Sequence, residues 1–123
     1  MSDNSVVITS ALRTAVGSLN KSLKNVPGFK LGSAVLLDNL KDSKLRPDEI
    51  DEVIMGQVLT GGAGQNPARQ ALIHSGIPKE KPAYVVNQVC GSGIRSVASG
   101  FQSILSGDSK IVIAGGQESM SLA

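Results

Sequence analysis

A single cysteine stands where one kind of apolar pattern ends and another begins. The run from Tyr84 to Val89 leads into Cys90, then Gly91-Ser92-Gly93, then apolar residues at helical spacing. A thiol at that junction lies at the carboxyl end of a buried strand and at the amino end of a helix. Open α/β sheets place their ligand crevices at such ends. The unpaired N–H groups and the dipole of a helix start also favour an anion, a thiolate included. With no side chains at 91 and 93, a substrate carbonyl can reach both the sulfur and nearby backbone N–H donors. The competing reading is an inert free cysteine, packed as a small hydrophobe. The residues alone leave both readings open.

Placing such a junction takes strands and helices in alternation, and the apolar pattern predicts them. Ser5 to Thr9 is a β-branched run and reads as a strand. Leu31, Ala34, Val35, Leu37 and Leu40 recur at helical spacing to about Lys41, and Arg46-Pro47-Asp48 breaks the pattern. Val53 to Leu59 is apolar at nearly every position, as in a strand covered on both faces. After Gly61-Gly62-Ala63-Gly64, Asn66 and Pro67 form an N-cap and first helical residue. That helix runs to about Ser75 and stops at Gly76. Tyr84 to Val89 is a further buried strand. Ile94, Val97, Ala98, Phe101, Ile104 and Leu105 make the clearest amphipathic stripe, with Gly107 as its C-terminal cap. Lys110 to Ala114 reads as a fourth strand, closed by Gly115-Gly116. The order predicts one α/β domain over 1–123, with a mostly parallel sheet, helices on both faces and right-handed crossovers.

Composition removes several functions. The chain has 123 residues, a formal net charge of +2, 41% hydrophobic and 18% charged residues, so it is globular in character. Lys21, Lys24 and Lys30 form a solvated scatter, and 2% aromatics leave little for bases to stack on, so no nucleic-acid partner is expected. One cysteine and one histidine, His74, exclude an internal disulfide and a zinc set. Neither a signal peptide nor a membrane-length apolar run is present, and a cytoplasmic location is expected. The Gly61–Asn66 loop has proline in place of the third glycine of a dinucleotide loop, so it reads as a loop and cap. Gly91-Ser92-Gly93 is not a serine-hydrolase elbow, because Cys90 takes the place of its first glycine. Arg69 and Arg95 read as exposed helix positions.

Val86-Asn87-Gln88-Val89-Cys90-Gly91-Ser92-Gly93 resembles the nucleophilic-cysteine signature of the thiolases. Ser10-Ala11-Leu12-Arg13-Thr14 with Gly17-Ser18 resembles the family's opening block, with Ala15 and Leu19 where proline and phenylalanine are usual. Asp51 to Val58, Gly64 to Gln70 and Gly115 to Ser121 resemble three further blocks. The last has Gln117 where methionine is common. The resemblance runs through essentially the whole chain.

The resemblance implies an incomplete thiolase-like N-terminal half-fold with a mixed, mostly parallel sheet. It makes Cys90 the catalytic nucleophile, forming an acyl-thioester with acetyl-CoA or a 3-ketoacyl-CoA, its N–H in an oxyanion hole. Asn87, Gly91, Ser92, Gly93, Glu118, Ser119 and Met120 become structural residues near the site. Coenzyme A thioesters are the expected substrates, with no tightly bound cofactor and no metal. The expected partners are acyl-CoA, CoA and further copies of the full-length protein, as a homodimer or homotetramer. The activating histidine, a second cysteine and a carbonyl-polarising histidine and asparagine belong to a C-terminal half. His74 matches none of them and reads as a surface residue, while the resemblance makes Arg69 and Arg95 packing or interface residues. The chain corresponds to a part that ends before the CoA-binding loop domain, and before the last strand of this half returns. Two other readings remain: an inactive fragment or assembly module of the same fold, and a ketosynthase-like condensing enzyme.

Overall fold

In a computed structural model, which describes residues 5–123, three helices alternate with three strands. These are α1 (Gly28–Ser43), β1 (Glu52–Gly56), α2 (Pro67–His74), β2 (Ala83–Val86), α3 (Ser92–Ser106) and β3 (Val112–Gly116), with short 3-10 turns at Pro47–Glu49 and Met120–Leu122. The sheet order is β2-β1-β3, and both pairings are parallel. The step from β1 to β2 goes one way across the sheet, and the step from β2 to β3 goes back past β1. Right-handed crossovers therefore put α2 and α3 on opposite faces.

Register assigns each side chain to a face. Val53 aligns with Ala83 and Ile113, and Met55 with Val85. All five pack with Leu36 and Leu40 of α1, Ala68, Ala71 and Leu72 of α2, and Ile50 and Ile77. On the other face Ile54 aligns with Tyr84 and Ala114. Tyr84 faces Ser99 of α3, and burial, then the Glu52 charge, push its pKa up. Continuous apolar character in β1 follows from having helices on both sides.

Helix α1 begins three residues before its apolar pattern does. Gly28, Gly32 and Ser33 are buried along its first turns, where small residues pack closely without an apolar signal. A Cβ at Gly28 would lie 3.5 Å from the backbone of Glu118 and Ser119. Lys44 closes the helix in the left-handed conformation, φ 58°, and its N–H bonds the carbonyls of Leu40 and Lys41. Helix α2 starts as predicted: the Asn66 side chain accepts the Arg69 N–H at 3.1 Å and Pro67 follows.

Three predictions are corrected. Ser5 to Thr9 is not a strand of the sheet. A cleft of about 1510 Å³ lies between this segment and β3, walled by Leu31 and Val35 of α1 and by Val97 and Phe101 of α3. A strand needs a neighbour about 4.8 Å away to complete its ladder, and the cleft intervenes. Val7 and Ile8 are 70% and 77% exposed, and Ser10 Oγ instead reaches α1, 2.7 Å from Asn39 Oδ1 and 2.6 Å from Asp42 Oδ2. The fourth predicted strand is shifted to Val112–Gly116, with both glycines inside it. Gly115 and Gly116 pair with Met55 and Gly56, and a ladder needs backbone groups, not side chains. The strands predicted to reach Leu59 and Val89 end at Gly56 and Val86, where hydrogen bonds to side chains take over from the ladder.

The orientation of α3 is the largest departure from its pattern. Its buried residues are Ser92, Ser96 and Gly100, spaced four apart. Ser96 Oγ lies 2.7 Å from the Gly115 carbonyl. A Cβ at Gly100 would stand 3.1 Å from Val112 Cγ1. The helix docks on the sheet by its small stripe, while Ile94, Phe101 and Leu105 face outward, Ile94 76% exposed.

Candidate functional site

The carboxyl ends of all three strands meet the first turn of α3. Gly56 makes that approach possible: a Cβ there would overlap the Ser92 carbonyl and lie 2.6 Å from Gly93 N. Gly116 adds to the seam, its Cβ position 3.5 Å from both Gly56 O and Gly93 Cα. Any larger residue at 56 would push the helix off the sheet, and Cys90 with it.

Cys90 is exposed, two residues ahead of α3, with Gly91 in the N-cap position. It follows Val89, whose φ is +50°. A β-branched residue there costs on the order of 1–3 kcal/mol and persists only when its surroundings hold it. The turn supplies that hold. Gly91 N–H donates to Gln88 O at 3.0 Å and Ser92 N–H to Val89 O at 3.1 Å. Ser92 Oγ accepts the Gln88 N–H at 2.8 Å and donates to Val89 O at 2.6 Å. Ser92 is thus a buried brace inside the turn. Asn87 Oδ1 accepts the Val89 N–H at 2.9 Å, and Arg95 Nε donates to Gln88 Oε1 at 2.6 Å. The last contact ties the exposed Arg95 to the turn itself.

A second layer lies behind the turn. The Glu118 carboxylate accepts the Val58 N–H at 2.8 Å and the Leu59 N–H at 3.1 Å. Asn87 Nδ2 donates to Val58 O at 3.3 Å. Gln117 Nε2 donates to Gln57 Oε1 at 2.9 Å and to Pro67 O at 3.1 Å, and both glutamines are buried. Sequence reading passed over Gln57 and Val58. The available signal was a glutamine inside an otherwise apolar run, matched by the unusual Gln117. Buried amides need partners: these two share one bond, Gln57 Nε2 donates onward to Leu59 O at 3.2 Å, and Gln117 Oε1 is left without a partner.

The other candidates are placed as follows. Gly91 and Gly93 flank the turn, and a Cβ at 93 would meet nothing within 4 Å. Ser119 is half-buried ahead of the last 3-10 turn, and Met120 is exposed and lines the large cleft along with Cys90. His74 ends α2, its ring 4.9 Å from that of Phe29. The glycine loop before α2 is filled by its own chain, with Gln70 Nε2 donating to the carbonyls of Ala63 and Gln65. Among the described residues no three His, Cys, Asp or Glu side chains gather to hold a metal, and no helix is long and apolar enough to cross a membrane.

The family described as thiolase, N-terminal domain, matches residues 6–123. An acetyl-CoA acetyltransferase of Rhizobium meliloti is 53% identical over 123 residues, covering 100% of this chain and 31% of its own length. One of Paracoccus denitrificans is 56% identical over 117 residues, covering 95% of this chain and 30% of its own length. The crystal structure of the Bacillus anthracis acetyl-CoA acetyltransferase superposes with a TM-score of 0.91 at 36% identity, over 95% of this chain and 30% of that one. A thiolase of Ascaris suum, solved in complex with coenzyme A, gives 0.83 at 40% identity, over 85% and 27%. The chain therefore spans about a third of the length of these relatives. With a family match over residues 6–123 and a fold that superposes over 95% of its length, the chain belongs to the thiolase family.

Proposed function

We propose that this chain is the N-terminal part of an acetyl-CoA C-acetyltransferase, and that Cys90 carries the acyl group. One observation bears most of the weight: the only cysteine is exposed on a strained, fully braced turn at the ends of three parallel strands. In the synthetic direction the Cys90 thiolate attacks the carbonyl carbon of acetyl-CoA. The tetrahedral oxyanion collapses with loss of CoA thiolate, which takes up a proton, and leaves acetyl-Cys90. The enolate of a second acetyl-CoA then attacks that thioester, forming the carbon–carbon bond and returning the thiolate. Cleavage runs the same steps backward. The Cys90 N–H is the proposed oxyanion donor, and Gly91 and Gly93 keep the approach open. Asn87, Ser92 and Glu118 hold the turn, and Ser119 and Met120 border the cleft. Coenzyme A and its thioesters are the proposed partners, with further copies of the full-length protein in its oligomer. The proposed location is the cytoplasm.

The groups that would activate Cys90 and handle the enolate proton belong, in this proposal, to the rest of the protein. The outward apolar stripe of α3 and the cleft beside β3 support that division, since both await a covering. A further strand entering at β3 would complete the sheet toward Ser5 to Thr9. The chain alone is accordingly proposed to be inactive. Acetoacetyl-CoA cleavage by the purified chain should equal the blank rate, because members of a catalytic set that act together lose their effect together. Turnover that vanishes in Cys90→Ala would contradict this division of labour. In the full-length protein the same substitution should abolish acetyl-enzyme formation.

A further inference from the structure

We propose that Glu118 is a positioning residue for Cys90, acting through a one-way relay of four hydrogen bonds; the proposal rests on the acyl-carrying role given above to Cys90. The relay begins where Leu59 N–H donates to Glu118 Oε1 at 3.1 Å. The carbonyl of that same peptide group, Val58 O, accepts from Asn87 Nδ2 at 3.3 Å. The carbonyl of that side-chain amide, Oδ1, accepts the Val89 N–H at 2.9 Å. The carbonyl of the Val89 peptide, Gln88 O, accepts the Gly91 N–H at 3.0 Å. That last N–H belongs to the peptide whose carbonyl is Cys90's own.

Every link is an amide that donates toward Glu118 and accepts from the far side. A carboxylate strengthens the first bond because its charge assists it. Polarised by that charge, each amide oxygen becomes a better acceptor for the next N–H, a gain of roughly 10–30% per bond. The relay ends on the Gln88–Val89 and Cys90–Gly91 peptide groups, which bracket the left-handed Val89 together with Cys90 and so fix where the sulfur stands. Its origin is anchored: Glu118 Oε2 holds the Val58 N–H at 2.8 Å, and Gln117 N–H donates to Gly56 O at 3.0 Å. The buried Gln117 side chain binds Gln57 and Pro67 as well. Ser92 braces the turn from the α3 side, and the relay braces it from the side of β1 and β3.

The test is nitrogen-15 NMR on the whole chain. Glu118→Gln replaces one acceptor oxygen by a donor and removes the charge. The amide signals of Val89 and Gly91 should both move, and Val89 amide exchange should speed up by up to about twofold, as expected for a bond weakened by roughly 10–30%. In an Asn87→Ala background, Glu118→Gln should leave Val89 where Asn87→Ala put it. The rate of Cys90 alkylation by iodoacetamide should change by about threefold or more, since small misplacements alter reactivity. Glu118→Asp, which keeps two acceptor oxygens, should restore part of it. Changes confined to Val58 and Leu59 would overturn the proposal. Should Glu118→Gln fail to fold, the unsubstituted chain still decides: couplings across the Leu59–Glu118 and Val89–Asn87 bonds are expected, and their absence overturns the relay. Cys90→Ala should leave the relay signals in place, so loss of the acyl-carrying role and loss of the relay are read separately.

Discussion

The two faces of the sheet solve the same packing problem with opposite residues. On the α1–α2 face, Leu36, Ile50, Val53 and Leu72 are almost wholly buried in one continuous core. On the α3 face, serine and glycine meet the sheet and the larger apolar side chains of the helix point away from it. The first face stabilises the fold by area removed from water. The second brings a helix start within backbone contact of the strand ends, and that is what places Cys90. Burial and closeness are different demands, and one helix face rarely serves both.

The seam between the two faces should be the most sensitive place in the molecule. Gly56→Ala sets a Cβ into the Ser92 backbone, which cannot swing aside as a flexible side chain would. A loss on the order of 4 kcal/mol or more is expected, at the exceptional end for a single methyl group. A melt of that variant within about 0.5 kcal/mol of the parent would mean that α3 does not sit against the sheet.

Next in size comes a matched pair. Leu72→Ala opens a cavity in the closed core and should cost about 2–5 kcal/mol. Phe101→Ala, 47% exposed, should change stability by less than about 0.5 kcal/mol. Similar losses for both in thermal or urea unfolding would erase the contrast between the faces. The same reasoning applies to association. The outward stripe and the cleft make an apolar surface that favours self-association, so the chain should scatter light as dimers or larger species. The double substitution Ile94→Lys with Phe101→Lys should disperse them, and a monodisperse parent chain would argue for a self-sufficient fold.

The smallest effect concerns Asp51, just ahead of β1. Its carboxylate accepts the Ile111 N–H at 3.0 Å and the Lys110 N–H at 2.8 Å. Those two bonds, with a lesser contribution from Lys81, hold its pKa below the ordinary 3.8 against a small desolvation that raises it. The folded value lies below the unfolded one. Its stabilisation is therefore complete above the unfolded pKa and is lost as pH falls through the lowered folded value. Asp51→Asn should flatten the acid limb of a stability–pH curve and leave its neutral-to-alkaline limb unchanged in shape. An unchanged acid limb would show that the tie from Asp51 to β3 contributes nothing.

Much of this contrast was legible in the residues. Asn66-Pro67 marked the start of α2, and continuous apolar character marked β1, because propensity, capping and packing agree there. The junction at Cys90 was legible in part: the start of α3 was visible, while β2 ends at Val86 and is a half-buried edge strand, not the buried strand to Val89 that its apolar run predicts. The direction in which α3 faces was not legible. Periodicity reports where apolar residues line up, and it cannot say whether that line meets this sheet or something else. Ser5 to Thr9 misled for a related reason: β-branched residues favour a strand, yet a strand exists only with a neighbour to pair with. The hydrogen bonds that Glu118 accepts and Gln117 donates were hidden because their partners lie 50 to 60 positions away in sequence.

The most direct measurement is the mass of the peptide containing Cys90 after exposure to acetyl-CoA, in a chimera that supplies the remaining length. Residues 1–123 would replace the matching segment of the Rhizobium meliloti acetyl-CoA acetyltransferase, to which they are 53% identical. If Cys90 carries the acyl group, its peptide should gain one acetyl unit under quench, the chimera should turn over, and Cys90→Ala should abolish both. A folded chimera that turns over with Cys90 never acetylated, or equally well with alanine at 90, would contradict the assignment.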